Sequence, residues 1–256
     1  MRAIWTGAIG FGLVNIPIKL YSASQDSRLD LDMLDKKDHH RIRFKRVNEE
    51  TGKEVKYEDI VKGYKYNDEY VILTDKDVES ASAKKTKTIE IEAFVDIEEV
   101  DSIYYEQPYY LEPDKSGARA YALLREALRK TKKCGLAKFV LRNKESLAIL
   151  KPMDDVIVLN KIRFQQEIRD TSSLTVPEKG EIKGKELDMA VALVKQLSEH
   201  FDISEYKDNF SDELMKVIEA KAKGKKVPVK KMKVVHTQTN SLISQLQASL
   251  KHRKAS

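Results

Sequence analysis

Carboxylates and histidines are the side chains in this sequence that could catalyse a reaction or hold a metal ion. The acidic pairs Asp154-Asp155 and Asp30/Asp32 could bind Mg²⁺ beside a phosphate, because hard cations prefer oxygen ligands. They define one hypothesis, a metal-dependent nuclease. Such pairs are also common on solvated surfaces, and no histidine or lysine constellation accompanies these two in the sequence.

Other catalytic motifs are incomplete. Asp38, His39 and His40 are adjacent, so on an extended chain neighbouring side chains would point to opposite faces, which favours a charged loop over a metal site. Residues 180–185 lack the spacing and the hydroxyl of a phosphate-binding loop, and the sequence has no Lys-x-Asp-Gly motif for lysine adenylation. We therefore expect a protein that is not an enzyme, with no catalytic residues, no metal site and no cofactor.

Positive charge follows a more specific pattern. Arg41, Arg43 and Lys45 alternate with Ile42 and Phe44, so an extended strand would project three cations at intervals of about 6.6 Å, close to the phosphate spacing of one DNA strand. A solvated surface is the alternative for any single residue, and the pattern does not separate DNA from RNA. The candidate DNA-binding residues are Arg41, Arg43, Lys45, Arg46, Lys84, Lys85, Lys87, Arg129, Lys132, Lys133, Arg142, Lys144, Lys225, Lys226, Lys230 and Lys231.

The positive charge is concentrated at one end of the chain. The 256 residues carry a formal net charge of +6, but residues 221–256 hold ten Lys and Arg and no acid, so residues 1–220 carry −4. This asymmetry indicates a basic appendage that contacts nucleic acid or another acidic surface.

The composition indicates a folded protein of a reducing compartment. Apolar residues make up 41% of the chain, and the single cysteine, Cys134, cannot close an internal disulfide. No apolar run approaches the ~20 residues of a membrane helix, and Gly7, Gly10 and Gly12 weaken a signal-peptide interpretation of the N-terminus. We expect a cytoplasmic protein that does not contact a membrane.

Alternating patterns place most of the candidate residues on β-strands. Up to residue 168, β-branched and aromatic residues alternate with charged ones, which predicts an antiparallel sheet or barrel and a fold that is mainly β with α. A turn is expected at Gly52. The predicted strands are 41–47, 70–74, 87–98, 137–142, 156–160 and 162–167.

Helices are predicted at three places. Residues 116–133 carry an apolar stripe, with Gly135 as a stop. The residues of that stripe are Ala120, Leu123, Leu124, Ala127 and Leu128. A second apolar face runs from Leu187 to Phe201, and Ser211 is expected to cap a third helix.

The loss of both periodicities at residues 169–184 predicts a change of architecture. We expect a core over 1–168, a linker over 169–184, a helical module over 185–223 and a basic, mostly disordered tail over 224–256. Two helices bury little by themselves, so they must dock on the core, on each other across a dimer, or on a partner. The sequence leaves these three alternatives open.

Several blocks of the sequence resemble bacterial Ku proteins. The run from Arg2 to Tyr21, which includes Trp5-Thr6-Gly7, closely resembles the opening of that family. The resemblance covers about residues 1–220, with the blocks in family order. The further blocks are Asp59 to Tyr64, Tyr70 to Asp75, Pro108 to Pro113, Tyr121 to Leu128, Phe139 to Arg142 and Phe201 to Asp208.

The resemblance implies a fold and a function. A Ku-type β-barrel would extend a bridge region that includes residues 41–66, so that two subunits interlock into a ring threaded by duplex DNA. Such a homodimer would bind, bridge and protect double-stranded DNA ends in non-homologous end joining, and it would be nucleoid-associated. Some relatives carry a cysteine pair where this sequence has Asn48 and Thr51, so no zinc is expected.

The resemblance also implies a partner, an ATP-dependent DNA ligase of the ligase D type that this protein recruits and stimulates. The helical module would contact it, with Leu187, Val191, Val194, Phe201 and Tyr206 as candidate partner-binding residues. Docking of the same apolar face on the core remains the alternative. A general RNA-binding barrel is a further rival, but such a protein would need aromatic side chains interleaved with the cations for base stacking.

Overall fold

The computed structural model describes residues 1–81, 87–176, 184–225, 244–246 and 249. The chain forms two compact units. The first comprises Met1–Asp26 and Leu31–Asp170, and the second comprises Ser27–Asp30 and Thr171–Ser256.

The first unit is built mainly from β-strands. Its strands and helices are β1 (Trp5–Phe11), β2 (Val14–Ser22), β3 (Lys62–Tyr66), β4 (Glu69–Leu73), α1 (Asp75–Ala81), β5 (Thr88–Asp96), β6 (Tyr105–Pro113), α2 (Ala118–Thr131), β7 (Lys133–Leu141), β8 (Lys144–Met153) and β9 (Val156–Ile162). Within the described residues, seven strands close into a barrel in the order β1-β2-β6-β9-β8-β7-β5. Neighbours are antiparallel, except that β1 and β5 run parallel and close the barrel.

The barrel core arises because alternate residues of each strand are apolar. On β2, Ile16, Ile18 and Leu20 are fully buried, whereas the intervening residues are partly exposed. They pack with apolar residues of β1, β5, β6, β7, β8, β9 and α2 in one continuous core. Gly7 is required where β1 meets β5, because a Cβ there would lie 2.2 Å from the Lys87 carbonyl oxygen.

Helix α2 confirms the predicted helix and part of its apolar stripe, since Leu124 and Leu128 are buried and Ala120 packs against the core, but the buried face is shifted toward Tyr121. Tyr121, Leu124 and Leu128 are buried, while Leu123 is 72% exposed. The Tyr121 hydroxyl donates to the Leu111 carbonyl and accepts from the Ile157 amide, both at 2.6 Å, and these bonds pull that face inward. Ala127 of the expected stripe is likewise exposed.

The end of α2 also differs from the prediction. Lys132 follows the helix in the left-handed conformation, with φ 55°, and its amide donates to the Arg129 carbonyl. The expected stop, Gly135, lies instead inside β7, where its missing side chain makes room for Ile91.

Most of the predicted strands are confirmed, but residues 41–47 and 162–167 are corrected. Residues 41–47 form no regular strand and make only the isolated bridges Leu34↔Arg41 and Val47↔Glu54. The last part of 162–167 is a 3-10 turn, Gln165–Glu167, because β9 ends at Ile162. Strands β1, β3, β6 and β8 were not predicted. Pro108 breaks the alternation of β6, and the buried run of residues 148–150 breaks that of β8.

Strands β3 and β4 form a separate two-stranded hairpin, which we call the exposed hairpin. They pair from Lys62↔Leu73 to Tyr66↔Glu69 around a turn at Asn67 and Asp68, both with positive φ, as tight hairpin turns require. Every residue of both strands is exposed in this chain. The turn predicted at Gly52 is confirmed, with φ 65° at that residue.

The second unit contains two helices in its described part, α3 (Gly184–Leu197) and α4 (Asn209–Ala222). Both confirm the predicted helices, but the cap of α4 is Asp208 and not Ser211. The Asp208 carboxylate accepts hydrogen bonds from the amides of Phe210 and Ser211 and from the Ser211 hydroxyl. In the described part of the chain, no helix has the length and apolarity needed to cross a bilayer. The tail that was predicted to be disordered lies, from residue 226 on, almost entirely outside the described residues.

Candidate nucleic-acid interface

The basic run from Arg41 to Arg46 lies in the segment that leads from β2 to the exposed hairpin. All of its side chains are exposed. The Arg41 guanidinium pairs with the Asp32 carboxylate, and the Lys45 ammonium lies 2.6 Å from the Glu54 carboxylate. Arg43 has no acidic partner among the described residues.

Three of the four cations in this run are held by an acidic or an aromatic neighbour. The hydrogen bond from Lys45 to Glu54 raises the pKa of the Lys45 ammonium, so this residue is fully charged at neutral pH. The Arg46 guanidinium lies over the ring of Tyr57, 5.2 Å from its centroid, as in a cation–π contact. The run therefore offers four charges, three of them already held by neighbours within the chain.

A second cluster lies where α2 ends and β7 begins. Arg129, Lys132 and Lys133 line a groove of about 480 Å³ together with Lys151, which sequence reasoning did not single out. Arg129 is held by Glu126 and by the Asp154 carbonyl, and Lys133 bonds Asp96 at 2.8 Å. That bond raises the pKa of the Lys133 ammonium. Lys132 and Lys151 have no acidic partner within the described residues, and the Lys151 ammonium lies over the ring of Tyr105, 5.8 Å from its centroid.

A third cluster surrounds the turn between β7 and β8. Arg142 and Lys144 lie beside Lys161, a third cation that was also missed, in a pocket of about 480 Å³. Lys144 pairs with Glu167 at 3.2 Å and Lys161 with Glu106 at 2.9 Å. Lys161 was missed because it occurs singly in an apolar strand, and only the strand register reveals which way it points.

The remaining candidates are scattered or cannot be placed. Lys87 is exposed just before β5, and its carbonyl accepts a hydrogen bond from the Ala8 amide. Lys225 is exposed just after α4. Five candidates lie outside the described residues, namely Lys84, Lys85, Lys226, Lys230 and Lys231.

The clusters of the first unit are separated along the barrel. Lys133 begins β7 and Leu141 ends it, so the second and third clusters lie at opposite ends of one strand, about 26 Å apart. Lysine and arginine side chains at such spacings can contact phosphates but carry no base-reading geometry by themselves.

The acidic and histidine candidates for catalysis do not converge. Asp155 pairs with Arg125 at 3.7 Å, and His40 lies 3.1 Å from Asp38 in an exposed loop. Across the described residues, no three His, Cys, Asp or Glu side chains come together as a metal site would need.

The candidate partner-binding residues of the second unit are all exposed. The exposed fraction is 50% for Leu187, 66% for Val194, 73% for Phe201 and 72% for Tyr206, and 42% for Val191. In the described part of α3 and α4 no side chain is buried, so an apolar surface is available on this unit.

Barrel and clusters together define a closed β-barrel protein with cations at both ends of its strands and an exposed hairpin between β2 and β5. The sequence matches the family model described as the Ku70/Ku80 beta-barrel domain over residues 10–189. The chain belongs to the Ku family. This result confirms both the resemblance to bacterial Ku proteins and the predicted Ku-type β-barrel.

Named relatives agree with this assignment. The Non-homologous end joining protein Ku of Pseudomonas aeruginosa is 44% identical over 225 residues, which cover 86% of this chain and 77% of the relative. The protein of the same name from Archaeoglobus fulgidus is 42% identical and covers 98% of both chains. That of Bacillus subtilis is 38% identical, over 98% of this chain and 82% of the relative.

Proposed function

We propose that this chain is a non-enzymatic factor that binds double-stranded DNA ends, whatever their sequence, as a homodimeric ring in non-homologous end joining. Its membership of the Ku family and the names of its relatives support a role in non-homologous end joining. The basic clusters support DNA of any sequence as the ligand, because cations that contact only phosphates do not distinguish the bases.

The observation that carries the proposal is the exposed hairpin. Two-stranded hairpins are marginal in water unless something covers them. This one keeps Tyr64, Tyr70, Val71 and Ile72 48–71% exposed. A second copy of the same segment would cover these side chains and complete the sheet, which supports a homodimer.

The same segment supplies the charge that a ring would turn toward DNA. The basic run from Arg41 to Arg46 precedes the hairpin and contains no acid. In an interlocked dimer, each subunit would bring one such run to the enclosed duplex. Preference for ends follows from topology, since a closed ring can reach duplex DNA only where the duplex ends.

The second unit and the tail are proposed to act on partners. The exposed apolar side chains of α3, α4 and their connection support docking of a DNA ligase of the ligase D type on the helical module, 185–223. The tail, 224–256, is proposed to tether flanking duplex.

An electrophoretic titration tests the proposal. Linear duplex, covalently closed circles of the same sequence and single strands are compared with and without Mg²⁺ at two salt concentrations. The proposal predicts salt-sensitive binding that prefers linear duplex and needs no Mg²⁺. Equal binding to circles and linear duplex would contradict a ring. Mg²⁺-dependent cleavage that is abolished by alanine at Asp154 and Asp155 would instead identify the protein as a nuclease.

A further inference from the structure

A pocket lined mainly by polar and charged side chains lies at the mouth of the barrel, beside the turn between β7 and β8. Its volume is about 480 Å³, within the range of small-molecule sites. Polar groups come from β6, β8 and β9, and Ile4 and Leu141 supply apolar contacts. The lining residues with polar side chains are Ser22, Gln107, Tyr109, Arg142, Lys144, Ser146 and Lys161.

Strand register turns Lys161 toward this pocket. Lys161 pairs with Ala148, and two residues away Leu159 pairs with Leu150. Ala148, Leu150 and Leu159 are fully buried core residues, so Lys161 lies on the inward face of β9 at its open end. Its side chain is only 19% exposed, although it carries a charge.

Ser146 supplies the most specific observation. It is 3% exposed and lines the pocket, yet its hydroxyl has no hydrogen-bond partner among the described residues. Because this hydroxyl makes no hydrogen bond within the described chain and lies in the pocket lining, it is available to a ligand bound there. Ser146 is well placed to donate to such a ligand.

Tyr109 also lies in the lining of the pocket, but its hydroxyl already donates to the side chain of Gln107. Tyr109 is 4% exposed, and its hydroxyl lies 3.1 Å from the Gln107 side-chain oxygen. Burial raises the pKa of the Tyr109 hydroxyl, with Arg142 opposing and Glu106 adding to that shift. The hydroxyl therefore keeps its proton at neutral pH.

The charges around the pocket favour an anion. Arg142, Lys144 and Lys161 face two acids, Glu106 and Glu167, each of which pairs with one lysine. Arg142 has no acidic partner in the described part of the chain, so one full positive charge is left over. A guanidinium, an ammonium and the Ser146 hydroxyl around one cavity are suited to the oxygens of a phosphate group.

We propose that this pocket binds a phosphate monoester, with Arg142 and Lys161 facing its charge and Ser146 donating a hydrogen bond to one of its oxygens. The sugar or other group that carries the phosphate would lie against Ile4, Leu141 and the ring of Tyr109. The phosphate could belong to a free sugar phosphate or to the terminal nucleotide of a DNA strand. The site does not depend on the ring or on the dimer.

Calorimetric titration of the full-length chain tests the pocket directly. Ribose 5-phosphate should bind and ribose should not. Ser146→Ala and Arg142→Gln should each weaken ribose 5-phosphate binding about tenfold or more, because each removes a hydrogen bond to a charged group. Arg119→Gln, which removes an exposed arginine of α2 outside the pocket, should leave binding unchanged. Equal binding of ribose, or equal loss in all three variants, would overturn the proposal.

A second measurement distinguishes the two sources of phosphate. Duplexes with 5′-phosphate and 5′-hydroxyl ends are titrated against the natural chain and Ser146→Ala. A preference for 5′-phosphate that Ser146→Ala abolishes assigns the site to DNA ends. If ribose 5-phosphate binds but duplexes show no such preference, the pocket binds a free phosphate monoester. If neither binding nor preference is seen, the proposed site is wrong. Overall duplex affinity reports separately on the proposed function, since Ser146→Ala removes no charge.

Discussion

At the scale of single residues, this protein holds several of its candidate DNA-binding cations in ion pairs, which a phosphate would have to replace under the proposed function. Arg41 and Lys45 pair with Asp32 and Glu54, and Lys133 pairs with Asp96. Exposed pairs of this kind are weak, so exchange of a carboxylate for a phosphate costs little. The sequence indicated these cations because they cluster, but not their partners. Turns bring Asp32 and Glu54 to Arg41 and Lys45, nine positions away, and the pairing of β5 with β7 brings Asp96 to Lys133.

Substitution of Arg43 tests whether the basic run contacts DNA. Arg43→Ala should weaken duplex binding to a similar degree for all sequences and flatten the plot of log affinity against log salt by about 0.9 for each phosphate that is no longer neutralised. The measurement is fluorescence anisotropy at several salt concentrations. Lys53→Ala is the matched control, because Lys53 is an exposed cation of the same segment. Equal losses of affinity in the two variants would argue against a localised contact.

Removal of two carboxylates should have the opposite effect. The double substitution Asp32→Asn with Glu54→Gln frees Arg41 and Lys45 from their acidic partners while it keeps the side-chain shapes. Duplex affinity and the steepness of its salt dependence should both rise in the same anisotropy titration. Unchanged affinity would show that these two cations face away from the bound DNA.

The Tyr121 hydroxyl should contribute measurably to the stability of the barrel. It bridges Leu111 and Ile157 in the core, so Tyr121→Phe leaves a buried carbonyl and a buried amide without that partner. We expect a loss of about 1–3 kcal/mol in the free energy of unfolding, measured by urea denaturation. Tyr110→Phe is the control, because the Tyr110 hydroxyl makes no hydrogen bond to a described residue, and it should change stability little.

At the scale of elements, the pattern of the sequence predicted helices α2, α3 and α4 and strands β4, β5, β7 and β9, but not α1, β1, β3, β6 or β8, and not how the barrel closes. The alternation in 87–98 predicted β5 because one face of that strand is solvated. Strand β8 was missed because residues 148–150 are buried in succession, and burial on both faces removes the period of two. Residues 41–47 alternate as a strand would, but they pair only at Arg41 and Val47, so the ladder is missing.

The exposed hairpin is the element on which dimerisation should depend. Val71→Glu places a charge on an apolar side chain that is 48% exposed in the single chain and pairs with Tyr64 across the hairpin. Sedimentation velocity should show a shift from dimer to monomer with an unchanged far-UV circular dichroism spectrum. Leu13→Glu, in the turn between β1 and β2, is the control. A Val71→Glu variant that remains dimeric would move the interface elsewhere.

The Asp208 cap should make α4 sensitive to acid. Hydrogen bonds from the Ser211 hydroxyl and amide lower the pKa of the Asp208 carboxyl below its usual value. A lowered pKa stabilises the folded form above the unfolded pKa of about 3.9, and this contribution is lost as the pH falls through the folded value. Hydrogen exchange of α4 amides should accelerate in Asp208→Ala at neutral pH, with Asp188→Ala in α3 as the control. Equal protection in both variants would exclude a capping role.

At the scale of the whole molecule, we propose that the Ku-family barrel, the basic run and the exposed hairpin form a clamp that loads at DNA ends. The family could be identified from the N-terminal run alone, because the resemblance there is dense and specific. The pocket containing Ser146 and Lys161 could not be predicted, since its residues come from five strands and meet only through their register.

Trapping on end-blocked duplex tests the central claim most directly. Linear DNA with biotin at both ends is blocked with streptavidin either before or after the protein is added, and retention is measured after a wash at high salt. A threaded clamp predicts retention only when the ends are blocked after loading, and release when a nuclease opens the duplex. Equal retention in both orders, or none in either, would contradict a ring that encloses DNA.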